Sequence, residues 1–474
     1  MMPAIQRLIP ILLLALVIHP GTGYSQSILD SSFTSSQNGV GLHWGILDLN
    51  LTTGSIRYEH QSDHQFAPAS LLKLISTAFL LEHFPDSFIR STRLGYDGLI
   101  VNDTLLYGNL ILKAAGDPLF GAESAGGSRD LSKACLQLRK NKIRAIRGTI
   151  IIDYSGLPEI QTNLYSTQED QQWWYGAPSC GISYHQNYLD LMLERDRDSI
   201  RVVLTPSLFD CSIRSMIRQG LQPSPIVNVY LNDNLREIVL DGSFPQSLSN
   251  YRIKLAVSNP PLFMASVLKQ KLLEFGIIHQ GKIKWIHPNE SIALTDYREI
   301  SVFPGSNLMK ILEIANRESS NFIFDQLVSL YDHFKSNSSG LNHLNEYVEH
   351  RLGLEDSRFM IHLLDYSGLS PYNSITPSVM GQFIRTIHQQ PDLWKKLIET
   401  LPRAAEIEAF KTLLPDSAVI KTGTLKNSCS LFALIRQNGQ ERVFLGWVER
   451  IPEGESMVYF KQMADYINRN PAKP

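Results

Sequence analysis

The spacing of apolar positions changes texture along the chain. Leu8 to Ile18 is one unbroken apolar run behind a single basic residue, Arg7. It is too short for a stable bilayer span. Gly21-Thr22-Gly23 follows it. The first 25 residues therefore read as a secretory signal, with an uncleaved anchor as the alternative. Residues 26–40 are a Ser/Gln/Asn-rich lead-in. Apolar runs at 42–47 and 55–58 then flank Thr52-Thr53-Gly54 and predict a hairpin. Ala67-Pro68-Ala69-Ser70 opens an apolar helix over Leu71–Phe84, with Pro suited to the first turn and Pro85 as the stop.

Residues 90–300 carry short strand-like runs: 104–107, 110–112, 148–153, 188–193, 200–204, 226–230, 238–240 and 253–257. Gly, Asn, Asp and Pro separate them, and a helix is predicted over 131–142. Beyond 300 the pattern is helical again, at 307–314 and 322–334, and after Thr376-Pro377 to about His388. A strand is predicted at 418–424. Asn438-Gly439, between two apolar runs, marks a hairpin. An amphipathic helix over 457–467 ends the pattern. The fold class expected is α+β. One domain is built from 27–88 and 300–474, interrupted by a β-rich insertion over 89–299.

Composition narrows the function classes. With 43% hydrophobic and 19% charged residues, the chain is neither disordered nor fibrous. A net charge of −2 offers no basic surface for nucleic acid. No later run is long enough to span a membrane, so an exported protein without a stable anchor is expected, periplasmic or extracellular. The histidines are scattered and no Cys-x-x-Cys pair occurs, so neither a metal site nor a cofactor is indicated. Export permits disulfides; Cys180 and Cys211 are the first candidates for a pair, against four free thiols.

Three short motifs occur in order: Ser70-x-x-Lys73, Ser319-x-Asn321 and Lys421-Thr422-Gly423. Each alone is weak. Ser266-x-x-Lys269 and Ser36-x-Asn38 match two of them by chance. Context separates them: Ser70 opens a helix, Ser319 sits in a break between helices, and Lys421 lies on a strand before a hairpin. A serine hydroxyl needs a base to become a nucleophile. Lys73, three residues on, shares its helix face. Burial and a second cation at Lys421 would lower its pKa. Ser319 can relay a proton to a leaving nitrogen. Asn321 can both donate to and accept from a substrate amide. Lys421 and Thr422 suit a substrate carboxylate, and Gly423 allows close approach to the strand edge. The N–H groups of Ser70 and Thr424 can form an oxyanion hole.

These motifs resemble those of the penicillin-binding proteins of the D-alanyl-D-alanine carboxypeptidase/endopeptidase type, the low-molecular-mass class C group. The long stretch between Lys73 and Ser319 resembles that family's insertion, as do Gly116-Asp117-Pro118, Gly148–Asp153 and the run from Ala177-Pro178 to Asn187. Asp365–Asn373 resembles a family loop, with Tyr366 and Pro371 departing from its pattern. The segment Leu401–Glu406 lacks the glycines of the family. The resemblance implies a β-lactamase/transpeptidase-like domain, an antiparallel sheet between helical layers. It implies hydrolysis of D-Ala–D-Ala bonds or cross-links in peptidoglycan peptides through an acyl-enzyme on Ser70, with β-lactams acylating the same serine. It also implies that Leu369 binds substrate, and that Asp153 pairs with a substrate ammonium; Asp153 reads equally as a strand-end turn former. A β-lactamase or esterase is one alternative, though no clear Glu-x-x-x-Asn loop is read between the first two motifs. An inactive wall-binding module is another. The Trp173-Trp174-Tyr175 cluster reads as packing between domains rather than a glycan-stacking surface.

Overall fold

The computed structural model describes residues 41–85, 91–122, 131–196, 199–291, 297–335, 343–354 and 360–471. The expected export signal, the Ser36-x-Asn38 match and the boundary expected at 88–89 lie outside them.

The apolar hairpin after the lead-in forms β1 (His43–Asn50) and β2 (Ile56–His60). The three C-terminal strands are β3 (Val419–Leu425), β4 (Ser428–Gln437) and β5 (Gln440–Glu449). Together they make one antiparallel sheet in the order β2-β1-β5-β4-β3, so the two ends of the sequence meet at the β1–β5 pairing. Asn438 and Gly439 both have positive φ, 54° and 73°, as the tight β4–β5 turn requires.

Both faces of β1 are buried because helices cover both sides of the sheet. The C-terminal helix, Ser456–Arg469, packs on β4 and β5 and brings Tyr459 against Trp44. On the other side stand α1 (Leu72–His83), α2 (Leu308–Arg317), α3 (Asn321–Lys335), α4 (His343–Leu352), α5 (Pro377–His388) and α6 (Pro391–Glu399). The C-terminal helix is α7. Helix α5 lies on β1 and β5, and α1 is surrounded by α2, α3, α4 and α6. Nine successive residues of α1, Leu72–Leu80, are buried. That is why its pattern is apolar all round rather than striped. Thr376 caps α5 by accepting from the Val379 N–H, with Pro377 in the first turn. Neither α4 nor α6 was predicted: α4 has only two buried residues and so no strong apolar stripe.

Between α1 and α2 the chain forms further sheets. A five-stranded one joins Ile283–Ile286, Ile150–Asp153, Leu110–Lys113, Thr92–Tyr96 and Arg298–Phe303, in that order. Two of its pairings are parallel. Because Arg298–Phe303 pairs with Thr92–Tyr96, a strand of this sheet runs across the boundary expected at residues 299–300. The strand Ser212–Gly220 was also not predicted. Most of its positions are half-buried or exposed, so it carries little apolar alternation.

No disulfide joins any of the four cysteines, so of the two readings the Cys180–Cys211 pair is the one not formed. Cys180 is buried, its N–H donating to Gln326 on α3. Cys211 lies half-buried beside the edge of a separate sheet. Among the described residues, no helix is long and apolar enough to cross a membrane.

Candidate active site

Ser70 lies in a short 3-10 turn, Ala69–Leu71, that runs directly into α1. Ala69 before it has φ of 47°, a left-handed conformation for a residue with a Cβ. Such strain costs on the order of 1–3 kcal/mol and persists only where the surroundings enforce it. Here they do. The Ser430 hydroxyl on β4 donates to the Pro68 carbonyl at 2.8 Å, and Gly368 sits so close that a Cβ there would meet the Ala69 carbonyl at 1.8 Å.

Lys73, the second residue of α1 and one turn beyond Ser70, is fully buried. Its Nζ donates to Ser70 Oγ at 2.8 Å, to Asn321 Oδ1 at 2.7 Å and to the Ser367 carbonyl. Burial lowers its pKa to about 7, and the Asp325 and Asp365 carboxylates oppose that fall. As a neutral amine it would keep two donors, for Asn321 and Ser367, and turn its lone pair to the serine hydroxyl. That is the geometry of a general base.

Ser319 lies between α2 and α3, again with positive φ, 52°. This left-handed residue turns the chain from one helix into the next. Its hydroxyl accepts from Lys421 Nζ at 2.8 Å, and the same amine donates to the Thr422 carbonyl at 3.0 Å. Lys421 is buried, and both burial and the nearby Lys73 charge lower its pKa well below the usual lysine value. Ser320 accepts from the Ile323 N–H at the head of α3 and donates to Gln186. The middle residue of this motif is thus structural.

Asn321 opens α3. Its Oδ1 accepts from Lys73 Nζ, and its Nδ2 donates to the Tyr175 carbonyl at 2.9 Å. Each end of the amide is therefore partly used by the protein, with one further site left on each atom for substrate.

The edge strand β3 closes the group. Ile420 N–H donates outward to the Pro402 carbonyl, and Ala404 N–H to the Ala418 carbonyl. Backbone groups alternate between the two edges of a strand. The N–H groups of Thr422 and Thr424 therefore point to the same outer edge, beyond the stretch that residues 402–404 cover. Thr422 is half-buried and Thr424 exposed. Gly423 faces the Ser70 turn: a Cβ there would lie 2.7 Å from the Ser70 nitrogen and 2.5 Å from Ser430 Oγ. Gly423→Ala should push that turn away from β3. A displacement near 1 Å predicts a drop of about 100-fold in acylation at Ser70, measured as the rate of covalent labelling.

Not every expected residue joins this group. Asp153 ends a strand of the inserted five-stranded sheet, its carboxylate accepting from the Ser155 N–H at 3.1 Å. None of its hydrogen bonds among the described residues reaches the Ser70 cluster, and its geometry is that of the turn former. Leu369 is buried in the 365–373 loop. Pro371 in the same loop is exposed. The chance match at Ser266 lies inside the buried helix Pro260–Glu274, where Ser266 Oγ accepts from the Phe209 N–H.

Sequence reasoning missed the backbone partners. The Ser367 and Tyr175 carbonyls carry no side-chain signature and come from distant segments. Trp174 stacks edge-on against Tyr188 and sits under Lys254, both in the same inserted stretch, and the adjoining Tyr175 carbonyl accepts from Asn321.

The D-Ala-D-Ala carboxypeptidase 3 (S13) family matches over residues 29–465. The chain belongs to this family. Members of the S13 family are serine hydrolases, and the fold brings the three motifs of this chain together. No curated protein shows significant sequence similarity. Among solved structures, the chain is similar to penicillin binding protein 4 from Haemophilus influenzae, with a TM-score of 0.73, 19% identity, and coverage of 94% of this chain and 98% of that one. The same protein complexed with a β-lactam gives 0.69, 18%, 94% and 98%. A predatory endopeptidase from Bdellovibrio bacteriovorus, solved with an immunity protein, gives 0.53, 16%, 91% and 96%. At these identities the likeness is one of fold, a mixed helix-and-sheet architecture of the penicillin-binding type.

Proposed function

We propose that this S13 chain is a serine-type D-Ala-D-Ala carboxypeptidase, with endopeptidase action on cross-links, acting on peptidoglycan peptides through an acyl-enzyme on Ser70. The observation that carries the reading is the Lys73 bond to Ser70 Oγ at 2.8 Å, made by a lysine whose burial lowers its pKa to about 7. Ser70 gives its proton to Lys73 as Oγ bonds to the scissile carbonyl carbon. The oxyanion faces the N–H groups of Ser70 and Thr424. The C–N bond then breaks, and the departing amine takes a proton through the Ser319 hydroxyl, which Lys421 holds in place. Water hydrolyses the ester in the second half. The C-terminal carboxylate of the substrate would lie at Lys421 and Thr422, where its charge favours the ammonium form that burial disfavours.

Export to the periplasm or beyond is part of the proposal, on the signal read at residues 1–25. So is the two-part domain, 27–88 with 300–474, interrupted by the β-rich insertion. The insertion's loop supports the site, because Tyr175, Cys180 and Gln186 all bond to residues on or beside α3.

The test is the intact mass of the purified protein after exposure to benzylpenicillin. The expected result is one added penicillin mass in the wild type, none in Ser70→Ala, and D-alanine release from a pentapeptide by the wild type alone. An unmodified protein that leaves penicillin intact would point to a binding module. An unmodified protein that hydrolyses it quickly would point to a β-lactamase.

A further inference from the structure

Residues 185–187 set three positive φ angles in a row: His185 at 51°, Gln186 at 50° and Asn187 at 55°. Tyr184 and Tyr188 on either side are extended. Each of the three carries a Cβ, and a left-handed turn of L residues is costly at every position. Strain of this kind persists only where the surroundings enforce it, and it gathers at functional sites. Here three distant segments of the insertion enforce it. The His185 N–H donates to the Phe120 carbonyl at 2.9 Å, and the Asn187 carbonyl accepts from the Val257 N–H at 2.9 Å. Asn187 Nδ2 donates to the Pro178 carbonyl at 3.0 Å, while its Oδ1 accepts from the Tyr184 N–H at 3.2 Å and closes the turn.

Gln186 carries the hold of this turn out to the active site. Its side chain is buried and reaches the linker between α2 and α3. Gln186 Oε1 accepts from Ser320 Oγ at 2.7 Å, and Gln186 Nε2 donates to Glu318 Oε2 at 3.2 Å. Ser319 is the residue between those two. One amide thus grips the chain on each side of it. Ser319 is itself left-handed, with φ of 52°, and its hydroxyl accepts from Lys421 Nζ. A linker residue in that conformation can relax towards right-handed φ, and its Oγ would then swing away from Lys421. Holding both neighbours opposes that relaxation.

We propose that Gln186 is a positioning residue for the reaction. Its amide braces the linker on both sides of Ser319 and so keeps the Ser319 hydroxyl in line for proton transfer to the leaving nitrogen. Gln186 gives up no proton and touches no substrate. The proposal rests on Ser319 as the relay of the function proposed above and deepens that reading. It also gives the insertion a part in the chemistry. The Tyr175 carbonyl holds Asn321, the Cys180 N–H bonds to Gln326, and Gln186 holds residues 318 and 320. Residues 175–187 therefore brace the 318–326 stretch from outside the domain that carries the three motifs.

The experiment measures the rate of benzylpenicillin acylation by intact mass, with thermal unfolding to confirm folding. Gln186→Met keeps the length of the side chain and loses both bonds. It should acylate about tenfold more slowly than wild type, because a proton relay displaced by a fraction of an ångström loses much of its effect. In a Ser319→Ala background no hydroxyl is left to position, and the same substitution should change the rate less than about twofold. Glu318→Ala removes one bond from the exposed side and should cost about threefold, while Glu318→Gln keeps an acceptor and should restore the wild-type rate. Ser183→Ala breaks a buried bond to the Asp117 carbonyl beside the same turn without touching 318–320, and should leave the rate within about twofold of wild type.

A folded Gln186→Met protein at the wild-type rate overturns the proposal. So does an equal loss in the two backgrounds, which would make Gln186 a general support of the fold. If Gln186→Met does not fold, Glu318→Ala is read in the same two backgrounds: a loss only where Ser319 is present supports the proposal, and any other result overturns it. Ser319→Ala at the wild-type rate overturns the relay reading and this proposal with it, while acylation at Ser70 stands. A wild type that never acylates overturns the Ser70 reading itself.

Discussion

Lys73→Arg should abolish useful acylation while keeping a positive charge beside Ser70. Arginine does not lose its proton at any working pH, so the variant has a donor where the wild type has a base. General-base catalysis contributes typically 10²- to 10⁴-fold, and a loss of about 1000-fold in the rate of penicillin acylation is expected. Lys73→Met, uncharged and of similar length, should lose as much. If charge alone mattered, Arg would keep most of the rate and Met would not. The wild-type profile carries the complementary sign. The active form is the neutral amine, so the rate should rise with pH through a limb near pH 7 and fall as the pH drops below it. Stopped-flow or quenched mass measurements between about pH 5 and 9 check both statements. A Lys73→Arg variant within a few-fold of wild type would remove Lys73 from the role of base.

The pattern of what was legible follows from where the information sits. Ser70, Lys73, Ser319, Asn321 and Lys421 were readable because each belongs to a short motif whose local setting has its own signal: a Pro-led helix start, a break between helices, a strand before an Asn-Gly turn. The side chains that meet across the site come from both ends of the chain, and those motifs are all that links them in the sequence. The partners that complete the site are of another kind. Lys73 is held by the Ser367 carbonyl and Asn321 by that of Tyr175, and a backbone carbonyl looks the same at every position.

The segment before β3 shows the same limit. Leu401-Pro402-Arg403-Ala404 lacks the glycines of the resembling family. Yet the Pro402 carbonyl and the Ala404 N–H still pair with Ile420 and Ala418 at the start of β3. Pairing through main-chain groups does not require a particular side chain. It covers the edge at Val419 and Ile420 and leaves the edge open from Thr422 onward. An extended substrate backbone can add to that open stretch as a further strand, which would set its scissile carbonyl beside the Ser70 turn.

Asp48→Ala should be the most destabilising single change away from the site. Asp48 lies on β1, fully buried, and accepts from Arg442 Nε and Nη2 on β5 at 2.8 and 2.7 Å and from the Tyr466 hydroxyl on α7 at 2.9 Å. Arg442 is itself buried and also donates to the carbonyls of Ile467 and Asn470 at the end of α7. One ion pair thus ties the N-terminal strand to the C-terminal hairpin and helix. Removing the carboxylate leaves a guanidinium buried without its counter-charge, and breaking such a pair costs about 3–5 kcal/mol. Chemical unfolding followed by fluorescence should show a shift of that size. The double variant Asp48→Leu with Arg442→Met removes both charges and should recover much of the loss, because two apolar side chains need no compensation. The pair lies on the side of the sheet that α7 covers, away from the Ser70 turn. The folded Asp48→Ala protein should therefore acylate with an unshifted pH limb, and a shifted limb would mean that strain in the β1–β5 pairing reaches Lys73.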